Sequence, residues 1–249
     1  MIRKRYIRTL LFLLTAIVLS LLTSSCSLKR ELPTRQYFII NYTPESVAPE
    51  ESMRPYPYAL EIGRFEVQRI FNRQNIIYRY SPNRIQYYEL ERWAVRPDYM
   101  IRDMIFKHFA AVRLTNNIGI DFLDTRPDYR IEGSVEALEK YDAGDLFYAH
   151  LAMSFKMIDV TSGLQVWDYS FDERKRVYSD EMVHTVAGMS AILQSHMTRI
   201  VDEVDALYYL KGGGEQADWP LQTPAMTPAP ADSTDDGIDD SAFEIIPEG

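Results

Sequence analysis

The chain has 249 residues, 27 Lys and Arg against 36 Asp and Glu, and a net charge of −9, with 46 % apolar residues and 17 tyrosines. That balance excludes nucleic acid as the main partner, because binding phosphate requires concentrated positive charge. It also excludes a basic amphipathic helix lying on anionic lipid.

The first predicted element is a leader. Arg3, Lys4, Arg5 and Arg8 precede an almost purely apolar run, Leu10–Leu22, then Thr23, Ser24, Ser25 and the only cysteine, Cys26. Basic, apolar and small-residue regions in that order make a secretory signal. Thirteen residues rise only about 20 Å as a helix, short of the roughly 30 Å hydrocarbon core, so the run reads as cleaved rather than spanning. The stretch resembles the bacterial lipoprotein signal, in which the cysteine becomes the first mature residue and carries acyl chains. Thr23 stands where such signals usually have leucine. On this reading 1–25 is the signal peptide and Cys26 is lipid-modified. Losing the four leader cations takes the net charge from −9 to −13, of which residues 211–249, with nine acids and one lysine, hold −8. With no second cysteine in the mature chain, the fold forms no internal disulfide and depends on its hydrophobic core.

Residues 26–35 form a membrane-proximal linker. The nine residues after the cysteine reach about 30 Å at most. A single α/β (α+β) domain is expected over 36–210. Tyr37–Tyr42 reads as a first strand. Thr43–Pro57, with Pro44, Pro49, Pro55 and Pro57, reads as a loop. Ala59–Val67 alternates apolar and polar residues and carries a break near Gly63. Asn75–Tyr80 and Arg84–Tyr88 flank Ser81-Pro82-Asn83 as a hairpin.

Pro97 and Asp98 suit the first turn of a helix. Ile101, Met104, Ile105, Phe109 and Val112 give it one buried stripe. It ends near Leu114, before the turn-like Thr115-Asn116-Asn117. Tyr129–Ala137 and Phe147–Met157 alternate as strands with one buried face. Asp142, Gly144 and Asp145 mark a turn. Asp159–Gly163 is another, and Trp167, Tyr169 and Phe171 return from it, so Phe147–Val177 is a long hairpin.

Glu181–Leu210 carries the stripe Val186, Met189, Leu193, Met197, Ile200, Val204 and Leu207 and reads as a long helix. Its stripe covers the sheet, and its length leaves room for a second copy of the chain, so a homo-oligomer stays open. Residues 211–249 are rich in Pro, Ala, Thr and Asp and read as a disordered acidic tail. That tail holds one apolar island, Ala242–Ile246. The expected architecture is a mixed or mostly antiparallel sheet with two main helices on one face.

The residues point away from an enzyme. His108, His150, His184 and His196 include no pair at i, i+4 as a helical zinc site needs. Gly188-Met189-Ser190 lacks the second glycine of a nucleophile elbow. Gly212–Gly214 lacks the strand and Lys-Ser/Thr of a phosphate loop. The carboxylates Glu89, Glu91, Asp121 and Asp124 read as solvated surface. No cofactor or metal is expected. What stands out is a run of aromatics and arginines: Phe71, Arg73, Tyr78, Arg79, Tyr80, Arg84, Tyr87, Tyr88, Arg92 and Trp93. Such residues anchor protein interfaces, and Phe71, Arg73, Tyr78, Arg79, Tyr80, Arg92 and Trp93 are the candidate partner surface. The competing reading is core packing with cation–π stacking. A direct lipid-carrying role needs an apolar cavity of roughly 300–1,000 Å³.

The same residues carry a resemblance. Phe71-Asn72-Arg73-Gln74-Asn75-Ile76-Ile77-Tyr78-Arg79, then Tyr88 and Arg92-Trp93-Ala94, then Asp128–Gly133 and Asp159–Trp167 resemble the ABC-type transport auxiliary lipoprotein family over about 35–210. Asn72 replaces the family's usual aspartate. The resemblance implies a non-catalytic lipoprotein subunit of a Gram-negative lipid or solute transport system. Its partners would be an MCE-type substrate-binding protein and, through it, an inner-membrane permease and ATPase. Ser27 after the cysteine implies the periplasmic face of the outer membrane. The alternative is a structural or regulatory envelope lipoprotein that binds another periplasmic protein.

Overall fold

The computed structural model describes residues 33–45, 54–122 and 125–211, together with Tyr6, Leu11, Leu13, Leu14 and Thr15. Cys26, most of the leader and linker, and the tail from 212 onward lie outside the described residues. No helix among the described residues is long and apolar enough to cross a membrane.

Eight strands form one mixed sheet: β1 (Gln36–Phe38), β2 (Tyr56–Val67), β3 (Asn75–Ser81), β4 (Arg84–Trp93), β5 (Thr115–Gly119), β6 (Tyr129–Asp142), β7 (Phe147–Asp159) and β8 (Gln165–Val177). Helix α1 (Pro97–Val112) packs over β2 and β5, and α2 (Met182–Lys211) over β7 and β8. The two helices share one face and touch each other. The sheet takes the mixed form: β1–β4, β2–β5, β2–β6 and β3–β6 are parallel, while β3–β4, β6–β7 and β7–β8 are antiparallel.

The sheet forks at β6. One edge of β6 pairs with β7 along its whole length. The other edge takes β2 against Tyr129–Val135 and then β3 against Glu139–Tyr141. β2 and β3 therefore lie in tandem, with 68–74 as the turn between them. The β6–β7 register shifts between Val135 and Ala137. The extra residue there exchanges the two faces of β6, so Leu138 and Lys140 inherit the helix side from Ile131 and Val135.

The break expected near Gly63 is a register shift between Ile62 and Phe65 on β2. Gly133 lies opposite Phe65 and Phe155, whose rings meet edge to face with centroids 5.2 Å apart. A Cβ at Gly133 would lie 1.9 Å from the Ser154 carbonyl oxygen, so only glycine lets the strands close. Gly163 turns the β7–β8 hairpin at φ +73°, a conformation glycine adopts without steric cost.

Several boundaries differ from expectation. The first strand is three residues long, not six. Past Phe38 the backbone leaves the sheet and runs between the helices: Ile40 N–H donates to Met100 Sδ (3.4 Å) and Asn41 N–H to Ser190 Oγ (3.3 Å). β2 begins at Tyr56, and Pro57, read as loop, sits where the β2–β5 register is irregular, so no ladder bond is lost. Thr115-Asn116-Asn117 is not a plain turn but opens β5, an edge strand parallel to β2. Helix α1 ends one residue before Arg113, which takes φ 50° and returns its N–H to the Ala110 carbonyl.

Candidate functional site

The β3–β4 hairpin carries most of the sequence-predicted surface, and the structure divides those residues three ways. Phe71 and Trp93 are core residues, 3 % and 1 % exposed. Reading them as surface anchors is corrected. Phe71 tucks under the 68–74 turn, where Asn72 N–H donates to the Gln68 carbonyl (3.0 Å). Trp93 closes β4, its backbone N–H donating to the Gln74 carbonyl (2.7 Å).

Register fixes the direction of the rest. Ile77 and Arg79 lie opposite Glu139 and Tyr141 and point away from the helices. Arg79 Nε donates to Glu139 Oε1 (2.6 Å), and His150 links that same oxygen (3.1 Å) to Asp172 Oδ1 (2.8 Å). Four strands are thus joined by one charged row. Burial alone would raise the Glu139 carboxyl, but hydrogen bonds and charge from His150 and Arg79 hold it below the ordinary carboxylate range. Arg79 is committed to this row.

Replacing Arg79 with methionine should leave a carboxylate whose side chain is 1 % exposed with His150 as its remaining partner. We expect a loss of about 2 kcal/mol at pH 7, below the full cost of breaking a buried pair because Arg79 itself is 20 % exposed. Glu139's folded value is depressed in the wild type, so its contribution is present above the ordinary carboxylate range and lost as pH falls through the folded value. In the variant the Arg79 share of that depression is gone and only His150 opposes burial, so acid relieves the buried charge sooner. Urea midpoints at pH 7 and pH 4 should therefore converge between the two proteins; a constant gap refutes the assignment.

On the helix side, Tyr78, Tyr88 and Phe147 surround Lys140, which is fully buried. Lys140 Nζ donates to the Asp180 carbonyl (2.8 Å), to the Asp180 carboxylate and to the Tyr88 hydroxyl (3.2 Å). Burial would lower this ammonium, but Asp180 and Tyr88 raise it above its ordinary value. The lysine fastens the segment entering α2 to the sheet. Sequence reading missed this cluster. Its one signal was a pair of charges, Glu139 and Lys140, continuing an otherwise buried strand.

The surface that remains is Arg73, Tyr80, Arg84 and Tyr87, with Arg92 partly covered. Arg73 stacks 4.4 Å from the Tyr87 ring centroid and Arg84 5.3 Å from that of Tyr80. Tyr78 backs Tyr80, centroids 5.1 Å apart, and donates its hydroxyl proton to Gln86. The result is a hairpin with stacked arginines exposed on both faces, apt for desolvated contact with another protein.

A groove of about 850 Å³ lies on the sheet face away from the helices. Its walls are largely polar, with Arg130 paired to Glu61 (2.8 Å) and Lys156 to Glu132 (3.0 Å). It has the volume for a lipid chain but not the apolar wall. Each histidine has a local partner: His108 with Tyr42, His150 with Glu139 and Asp172, His184 with Glu181, and His196 with Tyr169 and Glu173. Among the described residues no three His, Cys, Asp or Glu converge as metal ligands.

No curated protein matches the chain. Among solved structures, protein XCC0632 from Xanthomonas campestris is 18 % identical, with a TM-score of 0.59 over 72 % of this chain and 98 % of that one. An uncharacterised protein is 12 % identical, with a TM-score of 0.55 over 69 % and 99 %. These likenesses show a shared fold. The pattern of the ABC-type transport auxiliary lipoprotein component family matches residues 41–201, more than half of the chain, from the segment clasped between the helices through β3–β4 and the β6–β8 hairpins into α2. The chain belongs to that family.

Proposed function

We propose that the protein is a non-catalytic, lipid-anchored subunit of an ABC-type envelope transport system, moving lipid or a hydrophobic solute between the two membranes of a Gram-negative cell. Acylated Cys26 holds it at the periplasmic face of the outer membrane. The β3–β4 hairpin receives an MCE-type substrate-binding protein, which in turn meets the inner-membrane permease and ATPase. The observation that carries this reading is the family match over 41–201. The hairpin's exposed Arg73–Tyr87 and Arg84–Tyr80 stacks support the docking surface.

Co-purification from membranes tests it. The wild-type chain should bring down an MCE-type protein. Arg73→Glu and Tyr80→Ala should lose most of that partner while their urea midpoints stay near wild type. Wild-type recovery by both variants would remove the hairpin from the interface. Absence of any transport subunit with the wild-type chain would remove the function itself.

A further inference from the structure

The chain enters the fold at an edge that is unusually apolar for exposed surface. Tyr37 is 59 % exposed, Ile39 51 %, Tyr99 49 % and Val95 38 %. They lie on or just beyond β1 and along the β4–α1 junction that adjoins it. The Ala94 N–H donates to the Phe38 carbonyl (2.8 Å), setting Ile39 beside the β4–α1 junction. The bond from Ile40 N–H to Met100 Sδ sets the same segment against the first turn of α1, which carries Tyr99. Arg96 and Arg102 lie 5.5 and 5.9 Å from the Tyr99 ring centroid. Arg96 is itself paired with Asp98 (2.7 Å), which leaves Arg35, Arg92 and Arg102 against Glu91 and Asp103 on this side of a chain whose net charge is −9. No strand pairs with the outer edge of β1 among the described residues.

We propose that this edge rests in the headgroup layer of the membrane that holds Cys26. The inference builds on the acylation of Cys26 put forward above. Tyr37 lies eleven residues beyond that cysteine. The nine residues between anchor and domain reach about 30 Å at most, so the β1 edge is the part of the fold kept nearest the bilayer. Tyrosine rings favour the interface because they pair an apolar body with a polar tip. Arginines beside them meet lipid phosphates. The domain therefore lies on its β1 edge, with the β8 edge facing the aqueous space.

Acylation would occupy the only native cysteine, so a single new thiol can be labelled selectively. The full chain carrying Ile39→Cys, and separately Leu164→Cys in the β7–β8 turn at the opposite edge, is expressed in bacteria. Each variant receives a nitroxide and is reconstituted into vesicles of phosphatidylethanolamine and phosphatidylglycerol. The expected result is that both variants float with the vesicles. The Ile39 label should shift from collision with a water-soluble nickel chelate to collision with oxygen, while the Leu164 label stays accessible to the chelate. Flotation with both labels accessible to the chelate overturns this proposal and leaves the anchor intact. An Ile39 label already shielded in detergent, without vesicles, overturns it in favour of a second copy of the chain. Failure to float strikes at the anchor itself, and the proposal falls with it.

Discussion

Trp93→Ala should unfold the protein at clearly lower urea, with a loss of about 4 kcal/mol, while Arg73→Glu stays within about 1 kcal/mol of wild type. Both residues belong to the same aromatic–arginine stretch, and the structure assigns them opposite duties. Trp93 is 1 % exposed and ends β4 against the core. Truncating it removes a large transfer free energy and leaves a cavity in the core. Arg73 projects from the 68–74 turn and touches only the exposed Tyr87 ring. Its removal forfeits one solvent-screened cation–π contact. Urea titration followed by circular dichroism gives both numbers. Similar midpoints for the two variants would contradict the division. The contrast governs interaction studies as well: loss of partner binding by a Trp93 variant reports unfolding, and only the Arg73 and Tyr80 variants report an interface.

Acid should begin to weaken the fold near the ordinary histidine value of about 6.5. His108 is 1 % exposed on α1, with the Tyr42 hydroxyl 3.1 Å from its Nδ1. Burial lowers its pKa from 6.5 to about 4. A folded value below the unfolded one means that the unfolded chain takes up the proton first. The contribution is therefore complete above pH 6.5 and disappears as pH falls from there to about 4. Integrated over that window, it amounts to about 3 kcal/mol. His196, stacked on Phe171, is lowered by burial as well, although Glu173 pulls it upward, and it adds in the same direction. His108→Gln is neutral throughout and keeps a hydrogen-bonding side chain beside Tyr42. Its stability curve should be flatter than wild type between pH 6.5 and 4. Parallel curves would mean that His108 is accessible to protons without unfolding.

Local pattern carried most of the architecture. Pro97 and Asp98 start α1, and the 3–4 spacing of Val186 through Val204 marks the buried stripe of α2. Alternation marks β6 up to Val135, then β7 and β8, and Gly163 marks the turn between the last two strands. These features were legible because each depends on residues a few positions apart. The misses depend on distant residues. Tyr37–Tyr42 has the composition of a full strand, yet Met100 and Ser190, 60 and 149 residues away, draw its second half out of the sheet. Thr115-Asn116-Asn117 has turn composition, yet β2 offers it a parallel edge.

The candidate surface fared the same way. Which residues were aromatic or cationic was plain, but their direction was not. Arg79 and Arg73 look alike in sequence, and only the β3–β6 register places a buried glutamate before the first. The bulge at Val135–Ala137 exchanges the faces of β6, so alternation read from Tyr129 onward assigns Lys140 to the wrong side.

The segment clasped between the helices sets how the molecule bears load. Tension reaching the domain from residues before Gln36 arrives first at a three-residue strand on the sheet's rim. Three residues alone would peel away one bond at a time. Just behind them, Lys107 Nζ grips the Asn41 side chain (2.9 Å), while Met100 and Ser190 hold the neighbouring amides. A pull on the tether is thereby passed to both helices at once, and the whole domain resists as one body where a bare edge strand would unzip.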